Sequence, residues 1–109
     1  MKTKIMLAII LGLATAISAR AADGKDIWTQ QCQKCHGADG SGQTNIGKRL
    51  GCKDYSDAKV QDALTDDAAL KSLKEGVKDA DGKIVMKAYD ALSDDDAKAV
   101  VAYLRTLKK

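Results

Sequence analysis

The chain has 109 residues, of which 45% are hydrophobic, 30% charged and 4% aromatic, enough for one small domain and too few for two. Its formal net charge of +3 comes from Lys2, Lys4 and Arg20, which lie in an N-terminal stretch without acids. Without the first 21 residues, basic side chains fall from 18 to 15 against 15 acids, which disfavours a nucleic-acid-binding module or any role built on net charge.

In chain order, the first element is a leader. Lys2 and Lys4 precede an apolar run of 13 residues over 5–17, shorter than the roughly 17 that a membrane-spanning helix needs. Ala19-Arg20-Ala21 then supplies a small-x-small cleavage pattern. The expectation is a secretory signal peptide over 1–21, cut after Ala21 or Ala22, and one exported domain over 22–109. An uncleaved membrane anchor is the alternative. The remaining 88 residues hold no proline, no phenylalanine and one tryptophan, a thin apolar supply for a core. Chains this short commonly lean on disulfides, a metal or a cofactor. Three cysteines cannot all pair with one another, which turns attention to a cofactor or metal.

Asp23 is placed to cap a first helix through Ile27, Trp28, Gln31 and Cys32 to about Cys35, closed at Gly37. This helix carries Cys32-Gln33-Lys34-Cys35-His36, the C-x-x-C-H pattern of covalent c-type haem attachment. Cysteines three apart share one side of a helical turn, where each thiol can add to one of the two haem vinyl groups. The adjacent His36 is then placed to offer its imidazole to the iron. Without the histidine, C-x-x-C would read equally as half a zinc site or a thiol–disulfide pair. Zinc would need further ligands, and the chain offers only Cys52, since His36 is its single histidine. A thioredoxin-like site would need a βαβ pattern, which is not visible.

The stretch from Gly37 to about Tyr55 is rich in glycine and turn formers at its start and reads as loop. Ser56 starts a short helix carrying Val60, Ala63 and Leu64. Thr65 then caps a helix with Ala69, Leu70 and Leu73 on one face, closed by Gly76. A second loop is expected over 77–92, with a turn at Asp81-Gly82. It holds Met86, the only methionine after the leader. With no second histidine available, Met86 is the natural partner of His36 on the iron, and a thioether there favours the ferrous state. A gap-filling core methionine is the plain alternative, and Lys83 or Lys87 are substitute ligands. Ser93 caps the last helix, with Ala97, Val100, Val101, Leu104 and Leu107 on one face. No strand pattern and no internal repeat stands out.

These features resemble the small class I c-type cytochromes of bacterial periplasms and related electron-transfer chains. The resemblance covers nearly all of residues 22–109. It is carried by Cys32-Gln33-Lys34-Cys35-His36-Gly37, by a methionine about 50 residues later, and by the closing Ala99-Val100-Val101-Ala102-Tyr103-Leu104 helix. It implies an all-α cytochrome c fold of about four helices around one covalently bound haem c with its iron, in which the terminal helices cross. Gly24 and Trp28 look like the first-helix side of that crossing, met by Val100 and Tyr103. It implies a monohaem electron carrier rather than an enzyme. Its redox protein partners would be a donor dehydrogenase or membrane complex and an acceptor oxidase or reductase, with no nucleic acid and no stable membrane insertion.

The chain departs from the family's pattern in two places. The proline that often follows the motif, whose carbonyl accepts the histidine ring N–H, is absent, and so is the proline often found beside the methionine. A carbonyl within Thr44-Asn45-Ile46-Gly47 is expected to take over the first task. Cys52 remains an odd thiol, either a small buried apolar residue near the haem pocket or the site of a disulfide dimer of an otherwise monomeric protein. Lys34, Lys48, Arg49, Lys83 and Lys87 could form a positive rim that steers acidic partners, or an ordinary solvated surface. A second class of function, an enzyme or gas sensor, would require Met86 to be weakly bound or absent from the iron.

Overall fold

The computed structural model describes residues 23–109 as five helical rods and one small hairpin. The predicted signal peptide and its cleavage point lie outside the described residues. Asp23 caps α1 (Gly24–Ile27), its carboxylate accepting the Lys25 N–H at 3.1 Å. α1 runs straight into a π-helical turn, Trp28–Cys32, and on into α2 (Gln33–His36), so the first rod extends over 24–36. In that turn the Gln33 N–H reaches back five residues to the Trp28 carbonyl, a widening often found where a helix serves a site. Gly37 ends the rod with φ +84°, a conformation that suits glycine.

The stretch read as loop over 37–55 contains a helix, α3 (Asn45–Leu50). Its N-cap Thr44 accepts the Gly47 N–H at 2.8 Å and donates to the Cys35 carbonyl at 2.6 Å. Six residues with a glycine among them are too few to show a helical period. The tie from Thr44 to the first rod, which no local pattern reveals, holds α3 in place. α4 (Ala58–Ala63) is capped by Asp57 rather than begun at Ser56; the Ser56 N–H is instead bound by the Asp54 carboxylate at 2.9 Å. α5 (Asp66–Glu75) and α6 (Asp94–Thr106) start on the expected caps, Thr65 and Ser93, each accepting an N–H three residues on.

The second expected loop is also partly ordered. Val77–Lys78 (β1) and Ile84–Met86 (β2) pair antiparallel, with Val77 opposite Met86 and Lys78 opposite Ile84. The Asp79 carboxylate accepts the N–H groups of Asp81 and Lys83, both at 2.9 Å, and so closes the turn. Strands of two and three residues cannot display an alternating pattern, and the turn chemistry creates them.

The core is where the first rod, α5 and α6 meet: Ile27, Trp28, Cys32, Ala69, Leu73, Ala97, Val100, Val101 and Leu104 are all buried. The terminal helices cross at Gly24, where a Cβ would stand 2.7 Å from the Ala99 carbonyl carbon and 3.1 Å from the Tyr103 Cβ. Tyr103 thus meets the first helix as expected, its ring centroid 5.9 Å from that of Trp28. The backbone of Ala99, rather than the Val100 side chain, fills the notch made by the glycine. Gln61, only 4% exposed, ties α4 to the last helix by donating to the Tyr55 carbonyl at 2.6 Å and the Leu104 carbonyl at 2.8 Å. Arg105 covers it, donating to the Gln61 carbonyl at 2.6 Å and its side-chain oxygen at 2.9 Å, and bridging to Asp66.

Candidate haem cleft

The first rod delivers Cys32 and His36 to a cleft whose other walls come from α5, α6, the hairpin and the segment before α4. Trp28, Cys32, His36, Tyr55, Leu64, Ala69, Ser72, Leu73, Met86, Val100, Val101 and Leu104 line it. Met86 lies 50 positions beyond His36 in sequence and reaches the same cleft at the end of β2, half-buried against the core. Cys35 is half-buried beside the cleft rather than among its lining residues.

His36 is fixed by what surrounds it. Its ring lies 5.6 Å from that of Trp28 and 5.7 Å from that of Tyr55, tilted against both. The Trp28 indole N–H donates to the Gly37 carbonyl at 2.9 Å, just past the histidine. Burial holds the imidazole below its ordinary pKa, so it is neutral near pH 7, the form that binds a metal. Its Nδ1 is buried with no hydrogen-bond partner. The carbonyl expected from residues 44–47 is therefore not on that nitrogen. Those residues grip the backbone of the motif instead: Thr44 binds the Cys35 carbonyl, and a Cβ on Gly47 would run into the same oxygen. The Gly42 N–H donates to the His36 carbonyl at 2.8 Å.

Cys32, Cys35 and Cys52 are all free thiols. Burial, with a contribution from Cys35, pushes the Cys32 thiol up to about 11, so it stands as a neutral thiol rather than a reactive thiolate. Cys52 is half-buried and outside the cleft lining, its amide donating to the Gly47 carbonyl at 2.9 Å. Among the described residues, no three His, Cys, Asp or Glu side chains converge as a bare metal cage would require. The five basic residues of the suggested rim are all solvent-exposed, and the Lys87 ammonium stands 5.2 Å over the Tyr89 ring.

Two site residues escaped sequence reasoning. Tyr55 flanks His36 and lines the cleft, but it lies in a stretch with no periodicity to mark it. Tyr89, three residues past Met86, donates its hydroxyl proton to the Gln31 carbonyl at 2.9 Å; its spacing from the methionine was the available signal.

An apolar cleft holding a buried thiol, a neutral imidazole with an orphaned nitrogen and a thioether suits a flat apolar macrocycle with a metal at its centre. The site defines a haem protein of the c type, built on helices. A family model described as Cytochrome c matches residues 21–108. Among solved structures, the chain is similar to the KustC0563 c-type cytochrome, at 31% identity and TM-score 0.69, covering 80% of this chain and 99% of that one. It is similar also to a tyrosine-to-phenylalanine mutant of Kustc0563, at 30% identity and TM-score 0.67, with 79% and 99% covered. No curated protein matches the sequence. The chain belongs to the cytochrome c family. With that family come covalently bound haem c, its iron, and the role of electron carrier.

Proposed function

We propose that this protein carries single electrons between redox protein partners through one haem, attached by thioethers to Cys32 and Cys35 and ligated by His36 and Met86. The observation that carries the reading is the convergence of Cys32, His36 and Met86 on one apolar cleft. Bound haem supplies a reversible one-electron ferric–ferrous couple. The rest is the work of the chain. Burial keeps the His36 imidazole neutral and available as a ligand. The Trp28 and Tyr55 rings fix its plane. Leu73, Val100, Val101 and Leu104 exclude water from the cleft, which together with a soft thioether ligand favours the reduced charge state and raises the potential. Held by both His36 and Met86, the iron would have no coordination position left open to a small-molecule substrate.

A match beginning at residue 21 supports a domain over 22–109 behind a cleaved leader, and with it export to the periplasm. Among the described residues, no helix is long and apolar enough to cross a membrane. In this reading the partners are a donor dehydrogenase or membrane complex and an acceptor oxidase or reductase. The exposed Lys34, Lys48, Arg49, Lys83 and Lys87 steer acidic surfaces of those partners, a rate effect that salt weakens. The half-buried Cys52 sits as a spectator in a monomer, and an intact mass recorded without reductant would reveal a disulfide dimer if it formed one.

The test is the intact mass under denaturing conditions after export in a host that matures c-type cytochromes, with ferric and ferrous spectra. A mass of the mature chain plus one haem, and the weak ferric band of sulfur–iron ligation, is the expected outcome. Haem present without that band would overturn Met86 as ligand. Absence of haem would overturn the whole assignment.

A further inference from the structure

We infer that Tyr89 is a positioning residue that latches the Met86 segment to the haem-bearing helix, so that the ferric iron keeps its thioether ligand. The inference rests on the proposed Met86 ligation. It starts from where the Tyr89 hydroxyl goes: 2.9 Å to the Gln31 carbonyl, 58 residues away in sequence. That acceptor belongs to the residue before Cys32 and lies inside the π-helical turn, Trp28–Cys32. Among the described residues it is the only hydrogen bond joining the segment over 84–92 to the rod that carries Cys32, Cys35 and His36.

The other end of Tyr89 is tied as well. Its backbone N–H donates to the Leu73 carbonyl at 2.7 Å, fastening the segment to α5, and its carbonyl accepts the Leu92 N–H at 3.1 Å. Between Met86 and Tyr89 lie only two residues, so a tyrosine fixed at both ends leaves the methionine a short tether. The two ties act differently. The backbone bond holds the segment to α5, whereas only the hydroxyl bond holds it to the helix that brings His36. Both ligands of one iron therefore lie on elements clamped to each other by a single side chain. Lys87 stands over the same ring, 5.2 Å from its centroid, while the hydroxyl bond itself lies on the exposed side of the contact.

A thioether is a soft ligand and binds ferric iron less firmly than ferrous. The ferric state is therefore where the protein must hold Met86 in place. Losing one hydrogen bond that fixes the tether should shift the ferric equilibrium between ligated and released methionine by about tenfold, the ratio set by a net hydrogen-bond free energy of about 1.4 kcal/mol.

The experiment uses the haem-loaded protein and Tyr89→Phe, which keeps the ring and removes only the donor. Imidazole is titrated into the ferric protein and its displacement of the sulfur–iron band is followed for affinity and rate, with Tyr103→Phe at the helix crossing as control. The latch predicts displacement by about tenfold less imidazole in Tyr89→Phe and unchanged displacement in Tyr103→Phe, while both variants keep one covalent haem, their intact masses lowered only by the lost hydroxyl oxygen, and the wild-type helical circular dichroism. Equal displacement in wild type and Tyr89→Phe overturns the latch while leaving Met86 ligation standing. Equal weakening in both variants also overturns it, since that marks a general loss of stability. A wild-type ferric protein without the sulfur–iron band overturns the Met86 reading itself.

Discussion

Gly76 and Met86 meet backbone to backbone: a Cβ at position 76 would stand 2.6 Å from the Met86 carbonyl oxygen and 3.0 Å from the Ala88 nitrogen. The glycine that closes α5 thereby also decides how near the methionine-bearing strand can come. Its φ of +76° lies where side chains are strained, so helix termination and strand approach impose the same residue. Gly76→Ala should cost about 1–3 kcal/mol from backbone strain and, by pushing β2 outward, weaken the ferric sulfur–iron band. Thermal unfolding and the ferric spectrum, recorded on the same sample, check both halves.

Met86→Ala removes the proposed thioether while leaving β2 pairing to backbone atoms. The expected protein retains covalent haem, loses the sulfur–iron band, binds carbon monoxide when reduced and has a lower midpoint potential, since the ligand that favours ferrous iron is gone. A variant that keeps the wild-type spectrum and stays inert to carbon monoxide would remove Met86 from the iron.

At the helix crossing, Gly24→Ala places a methyl group against the Ala99 carbonyl. Overpacking of this kind costs about 1–3 kcal/mol, and Gly24→Leu should cost more. The loss should appear as a lower thermal midpoint with an unchanged spectrum at room temperature, because neither Gly24 nor Ala99 lines the cleft. A midpoint equal to wild type in Gly24→Leu would show that the helices do not approach as closely as the structure places them.

Gln61 donates to two carbonyls, the half-buried one of Tyr55 and the buried one of Leu104, and is itself held by Arg105. Gln61→Ala takes the side-chain donor from both, leaving the Leu104 carbonyl only the Leu107 N–H, at a cost of about 1–3 kcal/mol. Because Tyr55 flanks His36, the substitution should also perturb the haem absorption bands. Gln61→Leu, which restores volume without hydrogen bonds, should recover little of the stability. Chemical denaturation with absorbance and circular dichroism read in parallel separates the two effects.

The caps Asp23, Thr65 and Ser93, the closing glycine at position 76 and the apolar stripe of the last helix act through neighbours in sequence, and each was legible there. The C-x-x-C-H pattern was legible for the same reason, since its chemistry needs residues of fixed type on one helical turn. α3 and the hairpin were not. They are too short to carry a period, and they form because Thr44 binds the Cys35 carbonyl and Asp79 binds its own turn. The missing proline's task shows the same limit: sequence pointed to residues 44–47, and the structure has Thr44 gripping the Cys35 carbonyl while the His36 ring nitrogen Nδ1 stays unpartnered.

What the sequence alone determined is the attachment chemistry, the single histidine and single methionine available after the leader, and the places where most helices begin and end, all properties of residue type and local spacing. The tertiary structure decided that Met86 shares a cleft with Cys32 and His36, that Tyr55 and Trp28 bracket the imidazole, and that Tyr89 ties the methionine segment to the cysteine helix. Apart from that of Trp28 with His36, those contacts join residues 19 to 58 positions apart. They are set by how α5, α6 and the first rod pack, and no local rule of helix, turn or cap carries that information.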